Sequence, residues 1–411
     1  MKFIADLHLH SPYSRAVSRD MTFENMALWA KKKGLKVLAT SDFTHPRWMA
    51  EIEDKLEPAE AGLYKLKNQE SSARFMLGTE ISSIYSRGGR ARRVHNLVFT
   101  PDIETAKKFI SELSQRGGNL LSDGRPIIGL DAEDLLKIVK GVSDRAVVVP
   151  AHAWTPWFSV FGSMSGFDSL EECFGDETKH IFAIETGLSS DPGMNWRLSK
   201  LDNIAFISNS DSHSLPRLGR EANIFDAELN YDSIWRAVRT RNPQEFLMTI
   251  EFFPEEGKYH FDGHRLCGKS LSPEETGKLA GKCPVCGREV TVGVLNRVNV
   301  LADRAEGYSD PLKIPYKKLV PLDEIIAEAL EVGVSSKKVK EEYERLTSTF
   351  SNEIDILMEK SEDELSKATT PRIAEGIMKV RKGEIEAVPG YDGEYGKIKI
   401  FSSEKSKITL F

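Results

Sequence analysis

Phe3-Ile4-Ala5-Asp6-Leu7-His8-Leu9-His10 decides the reading of the N-terminal half. Phe3–His8 reads as a buried strand, and the His-x-His that ends it puts both imidazoles on one face, because side chains alternate along a strand. Working outward, strand-like and helix-like segments alternate over the first 250 residues. Thr22–Lys33 reads as a helix with Thr22 as N-cap and Gly34 as its stop. Further strands are expected at Leu35–Thr40, Phe75–Ile81, His95–Phe99, Ala146–Pro150, Ile181–Glu185, Ile204–Ser208 and Phe246–Ile250. Helices are expected between them at Ile103–Gln115, Ala132–Lys140 and Tyr231–Arg239. This rhythm predicts an α/β fold with a parallel sheet covered by helices.

Residues suited to metal binding sit where these strands end. His8 and His10 close the first, Asp42 and His45 follow the second, Glu80 ends another, His95 opens the next, His152 follows Val147–Pro150, and Asp211 and His213 follow Ile204–Ser208. In α/β barrels the C-terminal ends of the strands converge on one rim, so residues distant in sequence are expected to share ions there. Imidazoles interleaved with carboxylates suit divalent Zn, Mn or Fe. His180, isolated and followed by apolar residues, reads as structural.

The texture changes near residue 251. Residues 1–250 form the expected catalytic region, 251–290 a small zinc-binding segment, and 291–411 a mainly helical C-terminal region. His264-x2-Cys267 and Cys283-Pro284-Val285-Cys286 have the spacing of a structural zinc site, with His260 as a rival fourth ligand. Cys173 reads as a buried thiol. Asp323–Glu331 and Lys337–Thr347 are amphipathic, Thr370-Pro371 starts a helix, and Lys397–Phe401 reads as a short strand.

The formal net charge is −6, which three divalent ions would offset. No run reaches membrane-spanning length and no secretory signal pattern opens the chain, so a cytoplasmic protein with no membrane partner is expected. Arg87, Arg90, Arg92 and Arg93 form a basic run with no acid, expected to touch phosphates. Trp154, Trp157, Phe158 and Phe161 follow His152, and Asn195-Trp196 form a second group; both are open to reading as a base slot or as ordinary packing.

The constellation resembles the polymerase-and-histidinol-phosphatase (PHP) superfamily of metal-dependent phosphoesterases. That resemblance covers about residues 1–250. It implies a distorted (βα)7 barrel with two or three divalent ions (Zn, Mn or Mg) held by His8, His10, Asp42, His45, Glu80, His95, His152, Asp211 and His213. Of these, His8, His10, Glu80, His152 and Asp211 are the expected catalytic set. The family often carries an aspartate in a Ser-Asp-Gly stretch soon after the His-x-His, where this chain has Ser14-Arg15, with Asp20 further on; Asp20, Asp42 and Glu185 are thus alternative completions of a third metal position. Two ions about 3.5–4 Å apart can share one water and lower its pKa, with Glu80 as the bridging carboxylate. Cys-Pro-Val-Cys-Gly at Cys283–Gly287, the stretch Val292–Arg304 and Pro389-Gly390-Tyr391-Asp392-Gly393 extend the similarity over nearly the whole chain, to the endonuclease Q family of DNA-repair enzymes. This implies hydrolysis 5′ to hypoxanthine, uracil, xanthine or an abasic site, leaving a 3′-hydroxyl and a 5′-phosphate. It also implies DNA as partner, with contact expected from residues 291–411, and one structural zinc. A small-molecule phosphomonoesterase and a non-catalytic DNA-binding module are the competing expectations. A sliding clamp is a conceivable further partner of a repair nuclease, though no convincing peptide for it is found up to Phe411.

Overall fold

The strand Lys2–Asp6 buries Phe3, Ala5 and Asp6 and lies inside the main sheet of the computed structural model, which describes residues 1–310 and 312–401. It pairs in parallel with Val37–Ala39 on one side and antiparallel with Ala222–Asp226 on the other. The sheet has eight strands, in the order Tyr316–Lys318, Phe246–Glu251, Ala222–Asp226, Lys2–Asp6, Val37–Ala39, Arg74–Met76, Leu63–Leu66 and Leu56–Pro58. It is mixed rather than parallel. The expectation missed Ala222–Asp226 and the hairpin of Leu56–Pro58 with Leu63–Leu66, whose Pro58 suits an edge position.

A second sheet is built on the long hairpin of Gly78–Arg87 and Arg90–Phe99, flanked by Ile127–Ile128 and Val147–Pro150. Gly88 and Gly89 close the hairpin with φ of 61° and 72°, the left-handed pair that a two-residue turn matching strand twist requires. The expected single strand Phe75–Ile81 is broken at Leu77, and its halves belong to different sheets. Ala183–Glu185 and Ala205–Ile207 form a parallel pair. Among the described residues no single parallel ladder closes into a barrel. The pieces are stitched at their ends: Leu9 bridges Ser212 in parallel, Thr40 N–H donates to Met76 O at 2.7 Å, and Ala153 N–H donates to Glu185 O at 2.9 Å. One rim gathers the tips of all three sheets.

Helices Phe23–Lys33, Ile103–Gln115, Ala132–Val142 and Tyr231–Thr240 cover the sheets, capped by Thr22, Asp102, Asp131 and Asn230, each side chain accepting from a first-turn N–H. Phe23 stacks on the buried Trp48 with ring centroids 4.3 Å apart.

The segment after residue 251 carries a short hairpin, Asp262–His264 with Lys269–Leu271, and a helix Pro273–Lys278. Its own apolar cluster is only Leu271, Cys283 and Val290, too little to fold unaided. The chain then returns to the main body. Helix Val294–Leu301 is tied down by Arg297, which donates to the carbonyls of Phe161 and Phe167. Tyr316–Lys318 joins the main sheet. Helices Leu322–Ala329, Lys337–Phe350, Glu353–Met358, Glu362–Ala368 and Pro371–Lys382 follow. A buried Lys33–Glu353 pair at 2.5 Å, with Tyr343 Oη donating to the same carboxylate at 2.6 Å, clamps them to the first helix. The texture boundaries at 250 and 290 are therefore crossed by strand pairing and ion pairs. Among the described residues no helix is long and apolar enough to cross a membrane. Residues 402–411, the end of the stretch searched for a clamp peptide, lie outside the described residues.

Candidate active site

Two groups of ligand atoms meet at the rim. His8, His10 and Asp211 offer one set, and Glu80, His95 and His152 another, each with its atoms within 4.8 Å of one another. Glu80 belongs to both by contact. Its Oε1 lies 2.7 Å from His95 Nδ1 and 3.2 Å from His152 Nε2, while its Oε2 lies 3.4 Å from His10 Nε2 and 3.6 Å from His8 Nε2. Asp211 Oδ1 faces His10 Nε2 at 3.0 Å and both His8 Nε2 and His213 Nε2 at 3.6 Å. His213 closes over the group, its ring centroid 4.7 Å from that of His10.

Each imidazole is held from behind, which fixes which nitrogen faces inward. Glu185 accepts from His8 Nδ1 with both oxygens at 3.0 Å, and it also accepts from Asn209 Nδ2 at 2.9 Å and from the His152 N–H at 2.8 Å. Asp42 accepts from His10 Nδ1 at 3.3 Å, the Ser11 N–H at 2.6 Å and Ser14 Oγ at 2.9 Å. Ser159 Oγ meets His152 Nδ1 at 3.1 Å and Ser82 Oγ meets His95 Nε2 at 3.1 Å. Orientation of a metal-binding imidazole by a carboxylate on its far nitrogen is the usual support of a metal site.

The electrostatics agree with a site shaped for cations. Burial alone would lower the His8 pKa, but the carboxylates of Glu185, Asp211 and Glu80 outweigh it and hold it well above the ordinary value. Burial would raise the Glu80 carboxyl; His95, Arg125 and His8 instead hold it well below the usual carboxylate range. The donor set passes a direct test of fit: His8 Nε2 is buried and has no hydrogen-bond partner, yet it is aimed at the two carboxylates shared with His10. A buried polar atom of this kind is costly unless something binds it, and a divalent ion among imidazole and carboxylate donors would satisfy it. A separate set, His264, Cys267, Cys283 and Cys286, also has its ligand atoms within 4.8 Å of one another, and its three thiols are free. Three sulfurs and one imidazole nitrogen are the donors of a closed structural zinc site.

A family model described as the MJ0043 C-terminal domain matches residues 321–384. The uncharacterized protein MJ0043 of Methanocaldococcus jannaschii is 35% identical over 255 residues, 60% of this chain; the chain spans 31% of that protein's length. The uncharacterized protein YqxK of Bacillus subtilis is 30% identical over 416 residues, covering 97% of this chain and 99% of YqxK. The crystal structure of the lesion-specific endonuclease PfuEndoQ from Pyrococcus furiosus superimposes with a TM-score of 0.85 at 32% identity, covering 97% of this chain and 95% of that one. The chain belongs to the endonuclease Q family. A second structure, endonuclease Q in complex with a 27-mer duplex substrate with an abasic lesion at the active site, gives a TM-score of 0.86 at 32% identity over 97% of this chain and 96% of that one.

Several expected residues take other places in this endonuclease Q family member. Asp42 and Glu185 stand behind histidines rather than beside the ligand groups. His45 begins the helix Pro46–Lys55 and stacks on Tyr13 with centroids 4.4 Å apart; it joins neither three-ligand group. Asp20 lies on an exposed turn with Ser18. His260 is buried outside the Cys/His set. Of the proposed DNA contacts, Arg87 pairs with Asp131 and Glu133 and donates to Cys173 O at 2.9 Å. Arg92 donates to Gly166 O and lies over the Phe167 ring, and Arg93 lies over Phe158. The run is thus a hairpin pinning the aromatic loop, with Arg90 exposed at its turn. Trp154 is wholly buried and donates to Asn195 Oδ1 at 2.7 Å, and Trp196 is buried against Tyr316, so both pack the interior. Trp157 stays partly exposed, edge-on to Tyr259 at 5.5 Å.

Sequence reasoning missed the loop Gly117–Pro126. Its Ser122-Asp123-Gly124 has the residue types sought after the His-x-His, and it packs against the segment where they were expected. Gly124 N–H donates to Tyr13 O at 3.0 Å, a Cβ on Gly124 would fall 2.5 Å from Asp42 Oδ2, and Arg15 Nε lies 3.5 Å from Asp123 Oδ2. The motif itself was the available signal.

Proposed function

We propose that this chain is a metal-dependent DNA-repair endonuclease that hydrolyses the phosphodiester on the 5′ side of deaminated bases (hypoxanthine, uracil, xanthine) and abasic sites, leaving a 3′-hydroxyl and a 5′-phosphate. The observation that carries this reading is Glu80, whose two oxygens face two separate groups of imidazoles. His8, His10 and Asp211 would hold one divalent ion, His95 and His152 a second, with Glu80 between them. A third would draw on His213 and on His45, which burial holds below its ordinary pKa against the pull of Asp42 and Asp123. Bound divalent ions supply an activated water and positive charge against the phosphate oxygens.

The chain's own residues do the rest. Glu185 and Asp42 fix the imidazole tautomers so that Nε2 of His8 and of His10 face Glu80 and Asp211, where an ion would be held. A lesion must leave the stack to be read, which costs a few kcal/mol and less where pairing is already weak. Trp157, at the open side of the loop after His152, offers a ring on which an extruded base can stack. Arg90 at the hairpin turn suits a phosphate contact. The DNA assignment is supported by the family, whose member was crystallised with an abasic duplex. The test is incubation of the purified protein with end-labelled duplexes carrying one hypoxanthine, uracil or abasic site, with and without chelator. Chelator-sensitive nicking immediately 5′ to the lesion is expected. Release of phosphate from small monoesters without nicking would replace this reading with a phosphomonoesterase.

A further inference from the structure

The loop Gly117–Pro126 brings a second residue to the site. Arg125 Nη1 lies 3.1 Å from Glu80 Oε2, and among the described residues it is the one arginine or lysine paired with a carboxylate of the two ligand groups. The approach is built rather than incidental. Gly124 N–H is bonded to Tyr13 O, Arg125 N–H donates to Asp123 Oδ1 at 3.1 Å, and Pro126 O accepts from the Ser82 N–H at 3.0 Å. The backbone is therefore gripped on both sides of Arg125, by the turn after His10 and by the strand that carries Glu80. The side chain is 25% exposed, so its guanidinium reaches a buried carboxylate and solvent together. Arg220, the other nearby arginine, spends its donors on the carbonyls of Ser210 and Asp211 behind the site.

Charge says what Arg125 is for. Two divalent ions would match, charge for charge, the four carboxylates Glu80, Asp211, Asp42 and Glu185. With the carboxylates so balanced, Glu80 is shared between ions and Arg125, and the guanidinium adds positive charge at the open side of the centre, where an incoming anion can take it up. A phosphodiester is such an anion, and it gains further negative charge on its oxygens at the transition state. A guanidinium held ready beside it is worth most at that point.

We propose that Arg125 is a catalytic residue that donates to a non-bridging oxygen of the scissile phosphate and stabilises the charge developing there. This rests on the phosphodiesterase reading above. The experiment uses the full chain loaded with Mn2+, as wild type, Arg125→Ala and Arg125→Lys. It measures single-turnover cleavage of an abasic duplex, hydrolysis of bis(p-nitrophenyl) phosphate, and bound metal by atomic emission. Removing one preorganised donor from an oxyanion site costs about 10²–10³ in rate, so Arg125→Ala is expected to lose that factor on both substrates while retaining its metal and binding the duplex within severalfold of wild type. Arg125→Lys should recover at least about tenfold of the loss. Wild type that cleaves the small diester but not the lesion duplex would sink the DNA reading alone, and Arg125 would still be judged on the diester. A loss below about fivefold on the diester, or a fall in bound metal matching the fall in rate, overturns the proposal, the latter by making Arg125 a positioning residue for Glu80.

Discussion

Glu185→Gln tests whether the metal site depends on the carboxylate that stands behind it. Glu185 is fully buried and takes three donors: His8 Nδ1, Asn209 Nδ2 and the His152 backbone N–H. The amide of Gln offers one oxygen for these donors, and its NH2 must face at least one of them. The charge-assisted bond to His8 is the contact most affected, since both oxygens now lie 3.0 Å from Nδ1. A hydrogen bond to a charged group contributes about 1.5–3 kcal/mol. At about 1.4 kcal/mol per tenfold, the loss corresponds to roughly one to two decades in metal affinity, in line with the 10–100-fold typical of residues that support metal ligands. The effect has two parts: a less basic imidazole, and a ring free to choose the other tautomer and turn Nε2 away. Competition with a fluorescent chelator gives the affinity, and urea unfolding of the metal-free protein separates any loss of fold. Unchanged affinity in a folded Glu185→Gln protein would refute the argument that Glu185 orients His8.

Other perturbations read other parts of the molecule. Cys283→Ser should remove one zinc per chain and loosen the segment whose only apolar cluster is Leu271, Cys283 and Val290; full zinc content by atomic emission would strike Cys283 from the ligands. Arg90→Ala should shallow the salt dependence of duplex binding by about one unit of log–log slope, the contribution of one phosphate contact, and an unaltered slope would move the contact elsewhere. Glu256 is pushed up to about 8 by burial and then by the carboxylates of Glu324 and Glu255, against Arg217 and Arg220, and its Oε1 has no partner. Because the folded value exceeds the ordinary one, the folded state holds the proton more tightly, and this contribution is present at low pH and lost as pH rises through about 8. Glu256→Gln should therefore gain stability relative to wild type as pH rises from about 4.5 to about 8, and hold that gain above it, in urea titrations; parallel pH profiles would count against it.

Much of the candidate site was legible because side chains suited to metal binding are unusual residues at strand ends. Imidazole and acid side chains at strand ends stand out against an apolar pattern of period two, and the structure brings His8, His10, Glu80, His95, His152, Asp211 and His213 to one rim. The roles of the remaining acids were not legible. Asp42 and Glu185 have the same chemistry as Asp211 and Glu80; what separates them is which imidazole nitrogen they face, and that depends on the approach angle of strands joined only in space. Two members of the basic run were illegible for a related reason. Arg87 and Arg92 look unpaired in sequence, yet Asp131, Glu133 and the carbonyls of Cys173 and Gly166 wait on other elements. The parallel sheet was over-read because Ala222–Asp226 and the Leu56–Leu66 hairpin are short and lack long β-branched runs. Asp123 lies more than a hundred residues beyond Ser14, and the two are related through space, by Gly124 on Tyr13 and Asp123 beside Arg15.

Backbone strain links the legible and illegible parts. Asp42, His152 and Asp211 have φ of 46°, 29° and 45°, a region where a residue with a Cβ costs about 1–2 kcal/mol. Glycine would sit there without strain, so the sequence gives up stability at these three points to keep a functional side chain on a backbone that turns sharply as it leaves a strand. The turn is what aims each side chain across the rim instead of along the pleat. The strain is held by contacts from other segments: Ser11 N–H and Ser14 Oγ on Asp42, Glu185 on the His152 N–H, and Arg220 on the Asp211 carbonyl. Glu185 therefore has two duties, the tautomer of His8 and the turn at His152, and it couples the two ligand groups that Glu80 joins from the other side.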